Sequence, residues 1–278
     1  MSRLIITADD LGVNTQRSHG IFQCVEFGAV TGTSVIPNGT DSDTAARHAR
    51  ERKVPCGLQL TLTQEYPRSR PEDIATLLQA NGLFLEDHQL RAALEEEQIE
   101  HDHLQREIRA QVEWFFDSYG TPTHICSTDH IHVHPMVIHA LIPVLERYGI
   151  RFIRIPNEEP LPPFGFEVPE GTLALARRIS EEARGARPLY EAAGIQSTDA
   201  FRGLAILGNA SARNLRHLIS RFPEGTIELM VHPGSPCSYG TPFDLDPQRQ
   251  TELRMLMDES LKKVLAEKKV ELAGWGDV

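Results

Sequence analysis

Arg3-Leu4-Ile5-Ile6-Thr7-Ala8-Asp9-Asp10 is an apolar, β-branched run that ends on two carboxylates and is followed by Leu11-Gly12. A short apolar run bounded by turn residues reads as a buried strand. Segments of the same kind recur at residues 32–36, 57–62, 123–128, 151–155, 203–207, 226–231 and 270–273. Between them lie stretches with helical spacing, such as Leu104, Ile108, Val112 and Phe115 ahead of a Tyr119-Gly120 stop. This alternation predicts an α/β fold with a parallel sheet, and seven or eight units predict a distorted (β/α) TIM-like barrel. An open doubly wound sheet is the competing arrangement, but no G-x-G-x-x-G follows the first strand.

At 278 residues the chain suits one domain over residues 1–278. Its 40% hydrophobic and 24% charged content excludes disordered, collagen-like and coiled-coil classes. With 28 basic against 39 acidic residues the formal charge is −11, so neither nucleic acid nor an anionic membrane is expected as a partner. No apolar stretch approaches the roughly 20 residues of a membrane span, and the start does not read as a signal peptide. Cys24, Cys56, Cys126 and Cys237 are scattered without a C-x-x-C pair, which argues against a disulfide framework or thiolate zinc site and fits a cytoplasmic location. Two stretches interrupt the alternation, residues 64–103 and 156–170, the second carrying Phe164-Gly165-Phe166. Both follow expected strands, where insertions at a barrel rim shape the active-site mouth.

Two adjacent carboxylates at a strand end repel unless a cation or a shared proton relieves them, which marks Asp9-Asp10 as a metal or acid/base signal. The plainer alternative is an aspartate that caps the next helix. The densest signal is Thr128-Asp129-His130-Ile131-His132-Val133-His134. Read as strand, its period of two puts His130, His132 and His134 on one face, a plausible transition-metal set with an aspartate nearby. His101 and His103, in a charged helical stretch, read as solvated. His232 ends the apolar run Glu228-Leu229-Met230-Val231 before Pro233-Gly234, a position suited to general acid chemistry. Arg154 before Ile155-Pro156, Asn38 before Gly39 and Asn209 after Gly208 are weak signals singly.

Together, Asp9, Asp10, Asn38, Gln59, the histidines, Arg154 and His232 lie in or at the ends of successive strands, which share one face in a parallel barrel. They supply the parts of metal-assisted hydrolysis. A metal-dependent isomerase or lyase is a different class that calls for a Lys or Glu at another strand end. Only Glu228 is near one, and it lies inside its strand.

The ordered blocks Thr7-Ala8-Asp9-Asp10-Leu11-Gly12, Asn38-Gly39, Gly57-Leu58-Gln59-Leu60-Thr61-Leu62-Thr63, Pro122-Thr123-His124-Ile125, His132-Val133-His134, Arg154-Ile155-Pro156, Gly208-Asn209 and Glu228-Leu229-Met230-Val231-His232-Pro233-Gly234 cover nearly the whole chain. In them the chain resembles the YdjC-like, chitooligosaccharide-deacetylase-like carbohydrate deacetylases. The resemblance implies removal of an N-acetyl group from an amino sugar with a divalent metal ion, Mg²⁺ or Zn²⁺. It implies Asp9 as general base held ionised by Arg154, Asp10 as metal ligand, and His232 as the acid that protonates the leaving amine. Asn38, His132, Asn209 and Tyr66 are the expected substrate contacts, with Tyr66, Phe164 and Phe166 able to stack on sugar rings or to plug the mouth. A homodimer is a family-level expectation.

The chain departs from the family's pattern at two positions. Gln59 stands where the strand-three motif has a metal-binding histidine, and the Asp-Ser-His before His-Val-His is altered. Aligning on His132-Val133-His134 puts His130 at the second position, whereas aligning on Thr123-His124-Ile125 puts Thr128 there. The first choice gives Asp10, His130 and either His134 or Gln59 as ligands, with a harder ion such as Mg²⁺ tolerated. The other accounts are a rearranged site in which the substrate supplies a ligand, and a non-catalytic sugar-binding descendant without metal.

Overall fold

A computed structural model describes residues 2–159 and 166–278. Strand β1 (Ser2–Leu11) is the centre of its parallel sheet. Leu4, Ile6 and Ala8 enter the main core, while Ile5 packs with Trp275 and Ala273 in a separate cluster, as alternating strand faces require. After β1 come α1 (Thr15–Phe27), β2 (Gly32–Val35), α2 (Ser42–Glu51), β3 (Cys56–Leu60), α3 (Asp87–Glu95) and α4 (His101–Ser118). Next are β4 (Ile125–Ser127), α5 (Pro135–Tyr148), α6 (Glu170–Ala192), β5 (Ala200–Arg202) and α7 (Ala212–Ile219). The chain ends with β6 (Gly225–Val231), α8 (Pro242–Leu245), α9 (Gln248–Leu256), α10 (Glu259–Lys268) and β7 (Val270–Leu272).

The strands lie in the order β4-β3-β2-β1-β6-β5, with β7 against the start of β1 and every ladder parallel. The α/β expectation holds, but the architecture is a curled half-barrel wrapped by helices, and no ladder joins β4 to β5 among the described residues. The expected strand at 151–155 is reduced to isolated bridges, Phe152 to Gln196 and Ile153 to Ile125, which span that gap. The strand expected at 203–207 lies earlier, at β5. Gly203 adopts φ +139° and presses against Met230, where an added Cβ would come within 2.7 Å of the Met230 carbonyl oxygen, so the ladder stops there.

The stretch 64–103 is not a loose excursion, because Ile74, Leu77, Phe84, Leu90 and Leu94 from it join the main core. In the second stretch, the buried carboxylate of Glu158 accepts backbone N–H bonds from Leu204 at 2.7 Å and Ala205 at 3.0 Å. Phe164 lies outside the described residues. Among those described, no helix is long and apolar enough to cross a membrane.

Helix α1 is set tightly against the loop that follows β6. Asn14 caps it by accepting from the Arg17 amide at 2.8 Å, and Gly28 ends it at φ +80°. Gly20 faces Gly234 so closely that a Cβ would lie 2.6 Å from the Gly234 Cα. Gly20→Ala is therefore expected to force backbone apart and lower the unfolding free energy by about 1–3 kcal/mol, measured by urea denaturation.

Candidate active site

In a regular strand Asp9 and Asp10 would point to opposite faces. Here β1 slips register against β2 between Ala8 and Leu11, and Asp10 takes φ +67°. This bulge delivers both carboxylates to one cavity of about 290 Å³, which Gln59, Thr128, His130 and His232 also line. The mutual repulsion is relieved by two separate guanidinium groups. Arg154 grips Asp9 with two bonds, 2.5 Å to Oδ2 and 2.9 Å to Oδ1, and Ser34 donates to Oδ1 at 2.7 Å. Arg17 reaches Asp10 Oδ2 at 2.7 Å and Asp244 Oδ1 at 2.9 Å.

Arg154 also bonds Glu228 Oε1 at 2.9 and 2.7 Å, and both residues are wholly buried. Burial alone would lower the guanidinium pKa, but Asp9 and Glu228 hold it well above its ordinary range. Glu228 is pushed upward by burial even with Arg154 beside it. His232 is held well below the ordinary histidine value, by burial first and then by the charges of Arg249, Arg17 and Arg154. Its Nδ1 has no hydrogen-bond partner among the described residues, while its backbone N–H donates to Glu252 Oε2 at 2.5 Å.

The histidine run is not a strand. After β4, residues Thr128–Val133 form a 3-10 turn in which Asp129 and His130 both have φ +53°. The three imidazoles expected on one face are thereby separated. His130 lines the cavity with an unpartnered Nδ1, and burial followed by the charge of Arg154 depresses its pKa strongly. His132 is sealed in the core between Ser127 Oγ at 2.6 Å and the Arg154 carbonyl oxygen at 2.9 Å. The carbonyl requires Nε2 to donate, so Nδ1 accepts from Ser127 and neither nitrogen has a lone pair to offer. Burial moves its pKa down to about 3. His134 occupies the N-cap position of α5 without a capping side-chain bond and lies outside the cavity, in the field of Glu182, Arg91 and Glu95.

The expected sugar contacts are also dispersed. Asn38 Nδ2 donates to the Tyr66 carbonyl oxygen, Asn209 Nδ2 donates to the Glu167 carbonyl at 2.6 Å, and Tyr66 is 62% exposed. None of the three lines the cavity, and nor does His132. Phe166 packs its ring edge to face with His217, with centroids 6.1 Å apart.

Thr61, Thr63 and, behind the cavity, Arg17 escaped sequence reading, whereas Asp129 was read only as the aspartate beside the histidine run and Thr128 only as the alternative to His130. Asp129 accepts from Thr63 Oγ1 at 2.8 Å, its pKa raised by burial, while Arg91 Nη2 holds its backbone carbonyl at 2.9 Å. Thr61 and Thr128 face each other at 3.4 Å. Arg17 shares the buried stripe of α1 with Gly20, Ile21 and Cys24, and that charge at a core position of an amphipathic helix was the available signal.

The donors do not form a metal shell. Asp10 has both oxygens engaged, Oδ2 by Arg17 and Oδ1 by Gln59 Nε2 at 2.8 Å. Gln59 turns its N–H₂ to that carboxylate because its Oε1 accepts from the Asp10 amide at 2.9 Å; Ser34 Oγ also lies 2.9 Å from Oε1, but its single proton goes to Asp9. Each Asp10 oxygen keeps a further lone pair, but a cation drawn to it would sit beside the Arg17 guanidinium and the Gln59 amide hydrogens. Among the described residues no three His, Cys, Asp or Glu are grouped to hold a metal ion.

A half-barrel with acidic and imidazole groups gathered in one cavity at its strand ends defines the class, a small-ligand α/β protein with hydrolase-like machinery. Residues 3–267 match the profile of the YdjC-like protein family, and the chain belongs to that family. It is 32% identical to a human carbohydrate deacetylase, with 99% of this chain and 91% of the relative aligned. Against a chitooligosaccharide deacetylase of Proteus mirabilis identity is 26%, with 99% and 98% aligned. A crystal structure from Enterococcus faecalis, described as a cellobiose-phosphate cleavage protein, shares the fold with TM-score 0.79 at 21% identity, covering 99% of this chain and 98% of that one.

Removing the buried arginine tests the charge pairing. Arg154→Met strands Asp9 and Glu228 without a counter-charge and is expected to cost about 3–5 kcal/mol in urea denaturation at neutral pH. The raised pKa of Glu228 in the folded state rises further, so the folded form gains protons relative to the unfolded one. The loss therefore shrinks as pH falls, whereas a packing defect would persist.

Proposed function

We propose that the chain hydrolyses the N-acetyl group of an amino sugar or N-acetylated saccharide, releasing acetate and a free amine. The observation that carries this reading is one cavity lined by both an arginine-clamped carboxylate, Asp9, and a neutral imidazole with an open nitrogen, His232. The relatives named carbohydrate and chitooligosaccharide deacetylases support the substrate class. The cavity is at the small end for ligand pockets, which suits one sugar unit with its acetamido group. Four unpaired cysteines support a reducing compartment.

Asp9 Oδ2 accepts only from Arg154, which leaves a lone pair for an attacking water. Asp9 takes the water proton as oxygen adds to the amide carbon. The hydroxyls of Thr61 and Thr128 are neutral donors for the tetrahedral oxyanion. When the C–N bond breaks, the amine needs a proton, and the resting His232 has none to spare. The proton taken by Asp9 therefore passes to His232 and on to the amine, and the acetic acid released ionises in solvent.

Acetate and amine release from N-acetylglucosamine oligomers tests this. Asp9→Asn and His232→Ala, each folded by circular dichroism, are expected to lower kcat/KM by about 10²–10⁴-fold. With its pKa depressed, His232 is neutral through the ordinary histidine range, so kcat/KM stays level there and falls only at more acid pH as the neutral form is lost. Activity that instead falls as pH rises through about 6.5 would show a resting imidazolium and rule out the relay. Oligomer binding with no acetate release would leave the cavity a binding site only.

A further inference from the structure

We infer that Arg17 is the resident cation of this cavity: its guanidinium holds the charge position beside Asp10, and the cavity works without a divalent metal ion. The inference rests on the deacetylase reading for its chemistry, but its geometry stands apart from that reading. Arg17 is 2% exposed and lies between two carboxylates, Asp10 on the β1 bulge and Asp244 on α8. Its backbone is fixed by the Asn14 cap, and its helix by the close approach of Gly20 to Gly234. A fixed internal charge thus neutralises Asp10 and carries no exchangeable coordination position.

Gln59 completes the arrangement. Its amide bridges the backbone N–H and the carboxylate of Asp10, so the carboxylate meets a donor on each oxygen. Thr128 supplies a neutral hydroxyl to the cavity wall, and although His130 and His232 each have an unpartnered Nδ1, no three His, Cys, Asp or Glu among the described residues are grouped to hold a metal ion. A divalent ion at Asp10 would have to displace Arg17 from a buried two-carboxylate clamp and leave it unpaired, a costly exchange in a low-dielectric site. Arg17 touches Asp10 and does not line the cavity, so it is a positioning residue.

The test uses the full chain dialysed against EDTA. Metal content is measured by mass spectrometry, Zn²⁺ and Mg²⁺ are titrated by calorimetry, and acetate release is followed before and after chelation. The expected result is substoichiometric metal, no saturable binding of either ion, and turnover unchanged by EDTA. Arg17→Met leaves Asp10 and Asp244 without their shared cation. Its thermal midpoint is expected to rise on adding Mg²⁺ or Zn²⁺ while the parent chain's does not. Arg17→Lys, which keeps the charge but not the fork across both carboxylates, should show no metal requirement for the turnover it has, and it decides the matter if Arg17→Met does not fold. A stoichiometric divalent ion in the parent chain, lost in Asp10→Asn and needed for turnover, would overturn the inference. So would a folded Arg17→Met indifferent to both ions, or a folded Arg17→Lys that requires metal. If no acetate is released under any condition, the deacetylase reading fails while the titrations still decide the role of Arg17.

Discussion

The structure turns on how two neighbouring carboxylates are each given a cation in one place. Adjacent carboxylates repel, and Asp9 and Asp10 have separate counter-charges. Arg154, from the segment after α5, serves Asp9, and Arg17, from α1, serves Asp10. Each arginine holds a second carboxylate, Glu228 on β6 or Asp244 on α8. The bulge at the end of β1 is thereby tied to elements from both ends of the chain. Buried pairs of this kind add little net stability over apolar packing, because desolvation offsets most of the attraction. Their effect is geometric, since neither carboxylate can turn without stranding an arginine.

The sequence made the sheet legible because its signal is redundant. Each buried parallel strand is an apolar run, and β1, β2, β3, β6 and β7 stand near where their runs predict. That Asp9, Asp10 and His232 would meet at one cavity was legible as well, since a polar residue at the end of such a run has few other places to go. The histidine triplet misled for a definite reason. Alternate spacing places side chains on one face only while the backbone stays extended, and consecutive left-handed residues at Asp129 and His130 break that condition. A non-glycine residue there carries no sequence mark. Arg17 was hidden in the opposite way, by a helical period that invites an apolar reading of its whole stripe.

The fixed arginines also set the protonation of the imidazoles. His130 and His232 are buried among positive charges, and both effects favour the neutral ring. A cavity so built has permanent cations that never give up a proton and bases that are free to take one. Each of Arg17 and Arg154 is shared between two carboxylates, so these pairs bring no net positive charge to the cavity, and charge that develops during attack on a carbonyl falls to neutral donors.

Gln59 shows why a single residue type matters so much at this position. A carboxamide presents its acceptor and its donors side by side, so it can meet a backbone N–H and the carboxylate of the same residue at once. At Asp10 it does both, at 2.9 Å and 2.8 Å. Imidazole holds its two nitrogens on divergent edges of the ring and cannot close that small cycle. The cycle pins Asp10 in its left-handed conformation, a strained one for a residue with a side chain, and aims Oδ2 at Arg17. Bulge, amide and guanidinium are thus one device: the amide holds the strained backbone, the backbone aims the carboxylate, and the carboxylate seats the buried charge.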